Sequence, residues 1–122
     1  AMAAGIATLK LLKTEGFYEK LDAQAERLIA GLSAMAEKAD VPVCCARVGS
    51  MLGMFFTQGP VNNFGDAKTS DLNRFSAYYQ GMQENGIFLA PSQFEAFFLS
   101  AAHDDEAIDI TLAAAETVFA QL

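Results

Sequence analysis

Apolar residues recur along this chain with two different periods, and the change of period marks out its elements. Over residues 17–38, Leu21, Ala25, Leu28, Leu32 and Met35 fall on one helical face, while Glu19, Lys20, Glu26, Arg27 and Glu37 fall on the opposite one. That is an amphipathic helix with a solvated charged side. Ahead of it Met2, Ile6, Leu9 and Leu12 keep the helical period as far as Gly16, a good left-handed terminator, so residues 1–16 read as a separate connecting helix. Val41-Pro42 stops the long helix and the pattern shortens: residues 43–48 and 51–57 read as strands joined by Gly49-Ser50. The second strand is apolar on both faces, with Leu52, Met54 and Phe56 on one and Met51 and Phe55 on the other. A sheet with one wet face alternates, so this sheet is expected to be covered on both sides, with part of the cover coming from outside these residues.

Gln58 to Lys68 is rich in Gly, Pro, Asn and Asp and reads as a loop. Thr69, Ser70 and Asp71 then offer caps for a helix whose buried stripe is Leu72, Phe75, Tyr79 and Met82, and which Asn85-Gly86 ends. Ile87-Phe88-Leu89 and Phe97-Phe98-Leu99 read as short buried strands, and Pro91 separates them by forcing its neighbour out of the helical region. Asp104, Asp105 and Glu106 place negative charge on the first turn of a last helix, where the helix dipole favours it, and Ile108, Leu112, Ala115, Phe119 and Leu122 form its buried stripe. The order of elements predicts one α+β domain over residues 1–122, a small antiparallel three-stranded sheet packed with about four helices.

With 122 residues, 52% of them hydrophobic, such a domain buries a core of its own without disulfides or metal. The net charge of -7 is uneven: acids and bases cancel over residues 1–38, and the remainder carries all of it. Clustered Lys and Arg are absent, which argues against nucleic-acid or anionic-membrane partners. No apolar run approaches the ~20 residues of a membrane helix, and the first residues lack a signal peptide's basic flank, so the chain reads as soluble and intracellular. Cys44 and Cys45 are neighbours and read as buried thiols rather than a disulfide. One histidine and no spaced cysteine pairs leave no metal signature, and no G-x-G-x-x-G or Walker-type run occurs.

Candidate chemistry gathers in residues 86–103, where Ser92, Gln93 and Glu95 stand between the two apolar runs. Flanked by Phe94, Phe97 and Phe98, Glu95 has a raised pKa if it is buried, the usual arrangement for an acid or base, but it could equally point into water. His103, beside a helix start, is eligible for proton transfer, although a lone histidine there is more commonly a structural hydrogen-bonding residue. Tyr78 and Tyr79 read as core or rim residues, and Arg47 as an edge charge or surface ion pair.

A set of strings carries a wider resemblance: Ala1-Met2-Ala3-Ala4-Gly5 with Ala7-Thr8-Leu9; Arg47-Val48-Gly49-Ser50-Met51; Gly59-Pro60-Val61 with Asn63, Asp66 and Ala67; Leu89-Ala90-Pro91-Ser92-Gln93-Phe94-Glu95-Ala96; and Ala102-His103. Together they resemble, end to end, the C-terminal domain of the glutamate-1-semialdehyde aminomutases, within the class III pyridoxal-phosphate aminotransferase family of fold-type I. The resemblance implies an enzyme that converts glutamate-1-semialdehyde to 5-aminolevulinate, the tetrapyrrole (porphyrin) precursor. It also implies pyridoxal 5'-phosphate as cofactor of the full-length protein, a homodimer, and a cytoplasmic or plastid-stroma location. By the same resemblance Glu95 is the active-site carboxylate facing substrate and cofactor, where most aminotransferases of the class carry an arginine, and Ser92 and Gln93 are weaker pocket-lining candidates. The cofactor lysine then belongs to a large domain outside these residues, since Lys10, Lys13, Lys20, Lys38 and Lys68 all fall on surface positions. No cofactor-binding residue is expected in this chain. The uncapped, already helical start and the absence of an initial Met agree with the tail of a longer protein. Two other readings stay open: the same domain of another class III aminotransferase, and a free-standing α+β interaction module.

Overall fold

In the computed structural model, which describes all of residues 1–122, the elements run α1 (Met2–Leu12), α2 (Phe17–Lys38), β1 (Cys44–Val48), β2 (Met51–Phe55), α3 (Phe64–Ala67), α4 (Leu72–Glu84), β3 (Phe97–Phe98) and α5 (Asp105–Phe119). The α+β architecture and the three-stranded antiparallel sheet are those expected, and α3 brings the helices to five. The sheet order is β1-β2-β3, with Cys44 opposite Phe55, Val48 opposite Met51 and Met51 opposite Phe98. One face of the sheet lies on α2, and α5 packs against both α2 and α4.

Leu52, Met54 and Phe56 point from the sheet into a core closed by Leu28 and Leu32 of α2, Met82 of α4 and Phe119 of α5. Phe56 is its hub, with ring centroids 5.4 Å from Tyr78, 6.3 Å from Phe75 and 6.4 Å from Phe119. Across α2, Arg47 pairs with Asp22 at 2.7 Å and Glu26 at 2.6 Å, so the cation of the sheet is held in the surface ion pair that its sequence setting suggests. Other charges of α2 reach α5: Arg27 meets Asp105 and Asp109, and Lys38 meets Glu116. These pairs are exposed, and their contribution is small. The opposite face of the sheet is bare within these residues, with Val48 74% exposed and Met51 and Phe98 beside it.

Three expectations are corrected. Ile87-Phe88-Leu89 is not a strand. Gly86, at φ 82°, turns the chain out of α4, and its N–H donates to Gln83 O while the Ile87 N–H donates to Met82 O. This is a Schellman cap, which spends the backbone on closing a helix rather than on a ladder; Phe88 is left 85% exposed. The loop 58–68 contains α3, because Asn63 Oδ1 accepts from the Asp66 N–H while Asp66 Oδ2 accepts from the Asn62 N–H and Asn63 Nδ2, a local network that starts a turn of helix. Finally, the buried face of α4 takes in Tyr78 in place of Leu72 and Tyr79, while Phe75 and Met82 keep their places on it. Leu72 is 53% exposed and Tyr79 is half-buried, whereas Tyr78 is buried along with Met82.

On this face Gly81 lies against α5. A Cβ built on it would stand 2.9 and 3.0 Å from the Cγ atoms of the buried Val118 of α5, so a side chain there would crowd the α4–α5 contact. Gly81→Ala is therefore expected to destabilise the fold by about 1 kcal/mol, because overpacking of roughly 1–3 kcal/mol exceeds the up to ~1 kcal/mol that alanine gains in a helix interior. A lower urea midpoint with an unchanged slope is the reading that checks this; a raised midpoint would contradict it.

Candidate functional site

The segment between α4 and β3 carries the polar candidates. Pro91 keeps the chain out of the helical region, and a tight turn follows in which Ser92 Oγ accepts from the Phe94 N–H at 3.2 Å and Ser92 O accepts from the Glu95 N–H at 3.2 Å. Ser92 thereby becomes a local turn residue, half-buried beside a cavity. Gln93 lines the same cavity and also reaches β2. Its side chain is 4% exposed, its Nε2 donates to Met54 O at 2.7 Å, and its Oε1 accepts from the Phe56 N–H at 3.2 Å. Glu95 is exposed, and its carboxylate makes neither a hydrogen bond nor an ion pair within the chain. Of the two settings left open for it, the structure shows the one in which the carboxylate meets water.

Ser92, Glu95 and His103 stand at the rim of a cavity of about 170 Å³, walled by Leu28 and Leu32 of α2, Met54 of β2 and Phe75 and Tyr78 of α4. Glu95 also borders a shallow cleft over the bare face of the sheet. It is thus the charged group where an apolar cavity meets an apolar surface. His103 Nδ1 accepts from the Ser100 N–H at 2.9 Å and lies 3.1 Å from Ser100 Oγ, so one ring nitrogen is occupied in closing the turn ahead of α5. This is the structural hydrogen bonding that the position suggested.

Tyr78 lines the cavity with a hydroxyl bonded to no other protein group, and burial pushes its phenol well above the usual range, so it stays protonated. Its apolar sequence surroundings gave no sign of a cavity-facing hydroxyl. Cys45 is likewise pushed up to about 11 by burial, with the neighbouring Cys44 adding to it, and a thiol so shielded is a poor nucleophile at neutral pH. No lysine or arginine lines the cavity: Lys38 pairs with Glu116 at 2.8 Å, Lys68 lies over the Phe64 ring, and Lys10, Lys13 and Lys20 are exposed on the helices or turn that carry them. No three His, Cys, Asp or Glu side chains converge to hold a metal ion, and no helix is long and apolar enough to cross a membrane.

Comparison with known proteins gives these features a context. No protein-family model matches the chain. Curated glutamate-1-semialdehyde 2,1-aminomutases match it over all 122 residues, at 61% identity in Desulforapulum autotrophicum, 60% in Desulfosudis oleivorans and 56% in Geobacillus kaustophilus. The chain spans 28–29% of the length of these relatives and matches their C-terminal part. Among solved structures, the FumI protein of Sphingopyxis sp. MTA144, solved in a PLP form, aligns with TM-score 0.77 and 26% identity over 98% of this chain and 26% of its own. A glutamate-1-semialdehyde-aminomutase from Pseudomonas aeruginosa in complex with PMP aligns with TM-score 0.76 and 21% identity, over 89% of this chain and 24% of its own, which speaks for the fold.

A pyridoxal-type cofactor is held by a lysine and by partners for its ring nitrogen and phosphate. The cavity here is lined by neither lysine nor arginine, so it does not fit such a group on its own. In sequence this chain matches the C-terminal part of the glutamate-1-semialdehyde 2,1-aminomutases, and its neighbours in fold are class III pyridoxal-phosphate aminotransferases.

Proposed function

We propose that residues 1–122 are the small C-terminal domain of a pyridoxal-phosphate-dependent glutamate-1-semialdehyde 2,1-aminomutase, with residues 1–16 as its connecting helix. In this reading the protein converts glutamate-1-semialdehyde to 5-aminolevulinate for porphyrin synthesis, as a cytoplasmic homodimer. A large domain of the same protein supplies the cofactor lysine, and the bare face of the sheet and the exposed α1 are surfaces for the rest of the assembly. The observation that carries the reading is Glu95, an exposed carboxylate without a partner in its own chain, set at the rim of an apolar cavity. Such a group is free to meet a substrate amine. It also repels the α-carboxylate of ordinary amino-acid donors, by about 1 kcal/mol at 4 Å in water and about 4 kcal/mol at an effective dielectric of 20. Ser92 shapes the same rim.

The test is the visible absorption spectrum of the full-length gene product before and after borohydride reduction. A yellow band abolished by reduction is the expected result. A protein that stays colourless with added cofactor overturns the reading, and so does a stoichiometric borohydride-trapped adduct on the isolated 122 residues.

A further inference from the structure

We propose that Gln93 is a positioning residue that acts through Glu95: its carboxamide replaces a missing strand on the edge of β2 and so fixes the loop from which Glu95 projects. The argument begins with how short β3 is. It pairs with β2 only at Met51 and Leu52, and the Leu99 N–H donates to Ser50 O at 3.1 Å, so even-numbered residues of this hairpin arm direct their backbone groups toward β3. Beyond Leu52 the next groups on that edge are those of Met54 and Phe56, and no strand reaches them. A buried edge left so is costly, because each unpaired backbone group loses its water without gaining a partner.

While the Phe56 C=O accepts from the Asp71 N–H at 2.9 Å, Gln93 meets one group of each residue at once. Its Nε2 donates to Met54 O at 2.7 Å and its Oε1 accepts from the Phe56 N–H at 3.2 Å, with the side chain 4% exposed. A planar carboxamide carries one donor face and one acceptor face, as a peptide unit does. Glutamate, methionine and leucine each lack at least one of the two. These are also the only hydrogen bonds that tie residues 90–96 to the rest of the chain; the remaining ones, at Ser92, Phe94 and Glu95, close the turn on itself. Glu95 makes no side-chain bond of its own, so its place at the rim is inherited from Gln93.

The proposal rests on the reading of Glu95 given above, and its test separates the two. In the full-length enzyme, Gln93→Met is expected to lower kcat/KM by about 10- to 100-fold, the scale on which a misplacement near 1 Å acts. In a Glu95→Gln background the same change is expected to cost less than about 3-fold, because the group it positions is no longer there. A merely structural Gln93 costs the same factor in both backgrounds, and that result overturns the proposal. If Glu95→Gln alone leaves kcat/KM unchanged, the reading of Glu95 fails. The clamp itself is then decided by amide hydrogen exchange: Gln93→Met must speed exchange over residues 90–96 while leaving α2 unchanged, and uniform or unaltered exchange overturns it. Should Gln93→Met not fold, Gln93→Glu, which keeps the size and the acceptor for the Phe56 N–H but cannot donate to Met54 O when ionised, carries both measurements.

Discussion

Phe56→Ala is expected to destabilise the fold by about 3–5 kcal/mol, seen as a large drop in the urea midpoint. Phe56 is 1% exposed, at the end of the β2 arm, and its ring meets Phe75, Tyr78 and Phe119, so it joins the sheet to α4 and α5 together. Truncating a buried phenylalanine costs about 3–5 kcal/mol, from lost transfer energy and from the cavity left behind. That is a large part of the roughly 5–15 kcal/mol that holds a domain of this size. The void would also open into the cavity beside Tyr78 and loosen the strand whose N–H Gln93 binds. Urea denaturation followed by far-UV circular dichroism measures the effect. A midpoint close to that of the natural sequence would mean that the aromatic cluster is not the hub the geometry makes it.

Glu95→Gln is expected to do the reverse, sparing the fold and removing function. The side chain is exposed and unpaired, so its replacement should change stability by no more than about 0.5 kcal/mol. If Glu95 faces the substrate as proposed, losing its charge while keeping its shape removes a positioned electrostatic group. Such removals cost on the order of 100-fold in rate. Steady-state kinetics of the full-length enzyme with glutamate-1-semialdehyde should show the loss. Kinetics with ordinary amino-acid donors should show a relative gain, since the repulsion of their α-carboxylate is relieved. Equal kcat/KM in variant and natural enzyme would remove Glu95 from the site. The two substitutions together test whether the segment around β2 divides into a part that carries stability and a part that carries chemistry.

Much of this molecule is legible along the chain because it is local. The bounds of α2 follow from one stripe of apolar residues and from Val41-Pro42, and the β1–β2 hairpin from Gly49-Ser50 between two short apolar runs. The cap of α4 falls among the three residues whose type suggests it, at Asp71, and the acidic start of α5 is where the sequence places it, with Asp104 serving as its cap rather than as a first-turn charge. Glu95 as the candidate carboxylate was equally readable, from its apolar neighbours and from the strings it shares with a known family.

Tertiary structure decided what depends on partners distant in sequence. Periodicity cannot tell which of two adjacent tyrosines enters the core. Tyr78 does so, packed against Phe56 and Phe119, partners that lie on other elements and leave no mark in the local pattern. The apolar run Ile87-Phe88-Leu89 has the composition of a strand, but its backbone was already spent on capping α4. Gln93 shows the same limit from the polar side. By type it reads as a pocket residue, and it does line the cavity, but only the tertiary structure shows that its carboxamide also bonds Met54 O and the Phe56 N–H beyond the end of β3. A residue's type and local period set what it can bond to; which bonds remain open to it is settled only when the rest of the chain has taken its own.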